Sequence, residues 1–161
     1  MHSKRKALPP FERVIELHGR AVLRFCIGRV GPGRAEDAFQ ETMLSALRAY
    51  EDVRDPEAIR SWLFSIAARK VIDTHRAEAR TPQPIEDLEP VAGTQDAPIV
   101  VDAIWAQVRA LPEKQRQAVT LRYLADLSHR EIAGVMQTSE PAARRNVFEG
   151  LTRLRQEAEA K

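Results

Sequence analysis

The sequence is poor in the residues that most chemistry requires. It holds one cysteine, Cys26, which excludes an internal disulfide and a thiolate cage for a metal. Such cysteine usage fits a reducing compartment. The four histidines, His2, His18, His75 and His129, are scattered and form no ligand pattern with Cys26. There is no glycine-rich phosphate loop and no nucleophile elbow. No catalytic group, metal or cofactor is expected, and the chain does not read as an enzyme. No apolar run approaches the roughly 20 residues of a membrane span. The basic start, MHSKRKALPP, is followed by no apolar signal core. Neither membrane insertion nor export is expected, and the location implied is cytoplasmic. Net charge is only +2, so the molecule as a whole is no generic polyanion binder, and any electrostatic role must come from how charge is distributed.

Strand signals are almost absent as well, because apolar and polar residues alternate over no convincing stretch. What remains is helical periodicity with punctuation. A first helix is expected from about Pro10 to Val30, with Phe11, Val14, His18, Val22 and Phe25 on one face. His18 there reads as a core or boundary histidine. Gly31 to Gly33 (GPG) should end this helix. A second helix, about Ala35 to Tyr50, carries Phe39, Met43, Leu47 and Tyr50 as its apolar stripe, with Ala46 filling a small gap. EDVRDPE reads as a loop, since Pro56 opposes helix continuation. The third helix, about Ala58 to Glu78, buries Ile59, Leu63, Ile66 and Ala67, with the Lys70 stem able to snorkel.

From Thr81 the character changes. Pro82, Pro84, Pro90 and Pro98 interrupt any helix, and residues 81–102 hold five acids and no Lys or Arg. This reads as an extended acidic linker. Helices resume near Pro98, with Val101, Ile104, Val108 and Leu111 on one face, and Pro112 opens the next in a favourable first-turn position. Ser128 and Glu131 form a capping box for a short helix with Ile132, Ala133 and Met136 on its apolar face. QTS is a turn. Ser139 caps the last helix, in which Pro141 is tolerated and Val147, Leu151 and Leu154 face inward. The expected fold is all-α. A basic disordered tail (1–9) precedes one small helical domain (10–80). A flexible acidic linker (81–98) leads to a second (99–161), which contains a helix-turn-helix.

Charge is segregated between neighbouring helices. Residues 36–57 hold seven acids and two bases, and residues 60–80 hold five bases and two acids. On the acidic helix, Asp37, Gln40, Glu41 and Leu44 lie opposite the apolar stripe, which suits a partner with basic and apolar contacts. The same pattern also fits a solvated face. On the basic helix Trp62, Arg69, Asp73 and Arg76 align. An aromatic among arginines suits unstacked or single-stranded nucleic acid, while Trp62 on pattern alone favours the core. In a helix-turn-helix the N-terminal part of the second helix meets base edges in the major groove. Arg144 and Arg145 sit there and can donate to guanine or hold phosphate. An ordinary helical hairpin with a charged face gives the same local pattern.

Taken together, these segments resemble one family, the bacterial RNA polymerase sigma factors of the extracytoplasmic function (ECF) group. AEDAFQETMLSALRAY is similar to the family's core-binding helix. IRSWLFSIAARKVIDTHR resembles its helix beside the promoter −10 element. LPEKQRQAVTLRYLADLSHREIAGVM resembles the opening of its −35-reading domain. The likeness runs in order from about Phe11 to Arg155, with the acidic linker where the family has one. It implies a protein that binds RNA polymerase core, recognises the −10 and −35 elements and helps open the duplex. Asp37, Gln40, Glu41 and Leu44 would hold the polymerase clamp. The loop from Glu51 to Ala58, with Asp52 and Arg54, would pocket a flipped −10 base beside Trp62, Arg69, Asp73 and Arg76. Ser139, Arg144, Arg145 and Phe148 would meet the −35 duplex. Further implied partners are the polymerase flap and an anti-sigma factor.

The sequence departs from the family pattern at three places. Arg69 stands where Asn is usual, the recognition segment reads PAARRN, and Glu149 stands at a position that is commonly Arg. A carboxylate near phosphate should weaken −35 binding, so Glu149→Arg is expected to strengthen it. The alternatives are a sigma-like decoy that binds an anti-sigma factor without reading promoters, and a stand-alone helix-turn-helix regulator. The second of these leaves the first half of the chain without a role.

Overall fold

The computed structural model describes residues 6–80 and 98–160. Its elements are α1 (Phe11–Val30), α2 (Pro32–Ala49), short 3-10 turns at Tyr50–Asp52 and Pro56–Ala58, α3 (Ile59–Arg80), α4 (Pro98–Ala110), α5 (Glu113–Tyr123), α6 (His129–Met136) and α7 (Glu140–Glu159). No strand occurs among the described residues. The expected all-α class holds. Residues 1–5 and the linker at 81–97 lie outside the described residues, whereas residues 6–9, expected within the disordered tail, are tied down, with Leu8 packed against the core and the Pro9 carbonyl bonded to Tyr50.

The GPG segment makes a tighter joint than expected. Gly31 alone separates α1 from α2, at φ +82°, a backbone state that side chains disfavour. Its N–H closes α1 on the Ile27 carbonyl (2.9 Å) and its own carbonyl accepts from Ala35 (3.1 Å). Pro32 therefore starts α2 rather than interrupting it, because its missing N–H falls where no intrahelical partner exists.

Helices α1 to α3 pack mainly on one another around Phe25, Phe64, Leu63 and Val71, all fully buried. The Phe25 and Phe64 rings meet edge to face at 5.7 Å. Burying one such ring contributes about 1.5–3 kcal/mol. The buried face of α2 differs from the expected one. Ala35, Ala38, Thr42, Met43 and Ala46 point inward, whereas Leu47 is 54% exposed. The alanines permit close approach to α1 and α3, which turns the helix about one residue from the orientation that bulky side chains alone indicate.

The C-terminal helices enclose Leu121, Leu127, Ile132 and Ala143. Ile104, expected on the inner face of α4, is 52% exposed, while Val108 and Leu111 are buried. The Ser128 cap forms as expected. The Glu131 N–H donates to Ser128 Oγ (3.1 Å), and Glu131 Oε1 accepts from the Ser128 N–H (3.4 Å). Gln137 in the left-handed region makes the turn, and Ser139 Oγ accepts from the Ala142 N–H (3.2 Å) to start α7. Gly150 seats α7 on α5, where a Cβ would come within 2.6 Å of Val119 Cγ2.

The two helical groups touch. Helix α1 packs on α4 and α5, and α3 packs on α6. Buried Arg29 of α1 donates to Glu113 of α5, and Arg60 of α3 reaches Glu131 of α6 at 3.4 Å. The sequence had left the relation between the two groups open.

Candidate polymerase and nucleic-acid interfaces

Helix α2 carries the acidic surface. Asp37, Gln40, Glu41 and Leu44 are all exposed on the side away from its alanine-rich buried face. Leu44 is 48% exposed, and Leu47 lies three residues on, with its side chain equally bare. Two exposed leucines beside carboxylates give a surface that can bury apolar area while attracting basic groups. Leu47 belongs to this surface and was missed because its spacing also fits a core stripe.

The segment after α2 is fixed by aromatics. The Tyr50 hydroxyl donates to the Pro9 carbonyl, and its ring meets Phe11 at 5.2 Å and Trp62 at 6.2 Å. Burial pushes the Tyr50 hydroxyl above its ordinary pKa. Asp55 caps the second short turn by accepting from the Glu57 N–H at 3.0 Å, and Lys6 reaches Glu57 at 2.9 Å. Asp52 and Arg54 are left exposed on this braced loop.

Trp62 is half-buried against Tyr50, so it serves the core with one side and leaves the other accessible. Arg69, Asp73 and Arg76 follow along α3 and are exposed. Helical spacing brings all four to one face, an aromatic edge followed by two guanidiniums. His18 is half-buried at the boundary, and burial first, then the Arg60 charge, lowers its pKa.

On α7, Phe148 is 66% exposed and Arg144 and Arg145 flank it on the same surface with Pro141 and Glu140. Arg144 holds Glu140 at 3.2 Å, an exposed pair that a phosphate can displace. Ser139 spends its oxygen on the cap. Glu149 is exposed and accepts from Gln115 Nε2 at 3.2 Å, a partnership the sequence did not reveal.

The α3 and α7 surfaces are not independent. Arg76 and Ile72 of α3 line the same cleft, of about 860 Å³, as Lys114, Arg116, Arg145 and Asn146. Glu113 sits at its edge between two guanidiniums. Burial would raise its pKa, but Arg29 and Arg116 outweigh this and hold the carboxyl down at about 2. Among the described residues no group of His, Cys, Asp and Glu could hold a metal ion.

Known proteins share this arrangement of helices. The family model of Sigma-70 region 2 matches residues 14–81, and that of Sigma-70, region 4 matches residues 102–154. An ECF RNA polymerase sigma factor of Mycobacterium tuberculosis, SigD, is 32% identical over 158 residues, covering 89% of this chain and 74% of its own length. ShbA, an ECF RNA polymerase sigma factor of Streptomyces griseus, is 33% identical over 160 residues, covering 85% and 81%. The fold matches the Bartonella quintana sigma factor RpoE, solved in complex with the anti-sigma factor NepR. There the TM-score is 0.79 at 18% identity, covering 91% of this chain and 94% of that one. It also matches CnrH, solved with the cytosolic domain of CnrY, with TM-score 0.73 at 22% identity, covering 94% and 88%.

Proposed function

The chain belongs to the ECF RNA polymerase sigma factors, and on that footing we propose how its surfaces divide the work of starting transcription. It binds polymerase core, recognises promoter −10 and −35 elements, and helps open the duplex. It carries out no reaction of its own. Residues 10–80 form the domain for core and the −10 element, residues 99–161 the domain for the −35 element, and 81–98 the linker between them, after a short basic tail at 1–9. Its place of work is the cytoplasm, where core polymerase is. No described helix is long and apolar enough to cross a membrane.

The observation that carries this reading is the separation of two unlike surfaces on one scaffold. The acidic, leucine-bearing face of α2 suits a protein, and the arginine and aromatic faces of α3 and α7 suit nucleic acid. Asp37, Gln40, Glu41 and Leu44 dock on the core clamp, with Leu47 beside them. The −35-reading domain also meets the flap. Asp52 and Arg54 on the braced loop receive one extruded −10 base. Extrusion costs a few kcal/mol. Stacking on an aromatic such as Trp62 returns about 1–3 kcal/mol per base, and the core contacts supply the rest. Arg69 and Arg76 neutralise strand phosphates, with Asp73 between them. Arg144, Arg145 and Phe148 enter the −35 major groove, where guanidiniums meet guanine or phosphate and an apolar ring suits a thymine methyl. The Ser139 turn sets the angle of entry. An anti-sigma factor is a further partner, a reading supported by the structural neighbour RpoE, which was solved in complex with the anti-sigma factor NepR.

The test is binding of the full chain to purified bacterial RNA polymerase core, alongside Glu41→Lys. The wild-type chain is expected to bind, and the exposed charge reversal to weaken binding by about tenfold or more, because like charges set against each other at an interface are costly. A folded wild-type chain that does not bind core overturns the reading.

A further inference from the structure

The segment before α1 is fastened across a loop. Lys6–Pro10 has no regular secondary structure, yet it meets both ends of the Tyr50–Ala58 loop. At the entry, the part-buried Tyr50 hydroxyl donates to the Pro9 carbonyl. At the exit, Lys6 Nζ donates to Glu57 Oε1 at 2.9 Å. Between these two anchors Leu8 packs against the core. Pro10, at φ −56° and ψ 145°, keeps the chain extended up to the start of α1. Among the described residues, these are the two side-chain hydrogen bonds that tie the loop to chain beyond α2 and α3. Within the loop, the Val53 N–H donates to the Tyr50 carbonyl, the Ala58 N–H to the Asp55 carbonyl and the Glu57 N–H to the Asp55 side chain. Those internal bonds set the shape of the loop, and the two external ones set its aim.

The fastening reaches the surface assigned to the −10 base. The Tyr50 ring lies 5.2 Å from Phe11 and 6.2 Å from Trp62. With its hydroxyl anchored, the ring backs the half-buried Trp62 and starts the turn that leads to Asp52 and Arg54. An exposed ion pair such as Lys6–Glu57 contributes little, so the Tyr50 bond carries most of the effect. Telling one base from another needs contacting groups held to within about 0.5 Å by a supporting shell, and exposed loop residues do not supply that shell themselves. We propose that Lys6–Pro10 is a positioning strap that fixes the aim of the Tyr50–Ala58 loop and the Trp62 ring, and so sets how sharply one −10 base is preferred over another, without touching that base. This rests on the assignment of the loop to an extruded base.

Two variants loosen the strap at different points. Tyr50→Phe removes the hydroxyl and keeps the ring contacts. Leu8→Ser removes the apolar seat between the two anchors. Glu16→Gln, at an exposed pair within α1, is the control. Hydrogen exchange of each full chain reads the bracing at the Val53, Glu57 and Ala58 amides. Both strap variants are expected to exchange there about three- to tenfold faster, the equivalent of one hydrogen bond, with α5 to α7 and the control unchanged. Holoenzyme made from each chain and purified core then selects from a fully randomised pool of short single-stranded DNA, with core alone as background. The wild type is expected to prefer one base most strongly at a single position. Both variants should lose preference at that position by a factor similar to the gain in exchange, while preferences elsewhere and core affinity hold. The double variant should lose no more than the worse single one, since both act through one strap. Unchanged exchange overturns the bracing. Faster exchange with preference intact, or an equal loss at every position, overturns the link to base selection. Additive losses in the double variant overturn the strap as a unit. A wild-type holoenzyme that enriches nothing beyond core alone brings down the assignment of the loop to base capture, and the proposal with it, whatever the exchange shows.

Discussion

Replacing Glu149 with arginine separates a contact inside the protein from a contact with DNA. In the structure the Glu149 carboxylate is held by Gln115 Nε2 at 3.2 Å, and Gln115 is only 9% exposed with its Oε1 lacking a partner. Arginine cannot accept that bond. Losing one such hydrogen bond costs about 1 kcal/mol of stability. Glu149→Gln keeps an acceptor and should cost less. On the DNA side, each phosphate newly neutralised steepens the dependence of log affinity on log salt by about 0.9. Over a fourfold rise in salt, Glu149→Arg should therefore lose roughly 3.5-fold more affinity than wild type. It should also bind more tightly at the low-salt end.

The assay is anisotropy titration of a mixed-sequence duplex between 50 and 200 mM salt, with urea melts of the same proteins. Glu149→Gln should leave the slope unchanged, since it adds no cation. An arginine variant with the wild-type slope would refute the reasoning and place residue 149 off the DNA-facing surface. A variant with the steeper slope but undiminished stability would show that the Gln115 bond contributes nothing.

Gly150→Ala should lower stability by about 1–2 kcal/mol, measured by urea denaturation, because the added methyl meets Val119 at 2.6 Å and overpacking outweighs the gain in helix propensity. Leu47→Asp should weaken core binding while shifting stability by no more than about 0.5 kcal/mol, since the side chain is largely in water; core titration beside a thermal melt checks both. Acid should destabilise the chain in two steps, read by urea melts across pH. His18, depressed below 6.5 by burial, favours the neutral form, so its contribution is present above that value and erodes below it. The Glu113 carboxyl is depressed from 4.5 to about 2, so its contribution is complete above 4.5 and is lost as pH falls toward 2.

What the sequence disclosed and what it withheld divide along the range of the interactions. Ser128, Glu131 and Ser139 were legible because a cap is settled within four residues, and each makes its expected bond. The acidic face of α2 was legible because its exposed residues follow helical spacing. Leu47 was misplaced because a stripe of bulky residues is ambiguous where alanines compete for the inside. The deciding factor was how near α1 and α3 approach, which a helix alone does not specify. The contact between the two helical groups is a stronger case of the same limit. Arg29 follows Val22, Phe25 and Cys26 at core spacing, so a charge stands inside an apolar stripe. That pattern announces a buried cation in need of a partner. It cannot name the partner, because the chain holds 23 acidic residues and the one chosen lies 84 positions away. Only the packing of α1 on α4 and α5 selects Glu113, and that packing in turn depends on Gly28 offering Trp105 a surface with no side chain in the way. The buried pair and the glycine beside it are therefore one device, and a change at either residue should be read out at both.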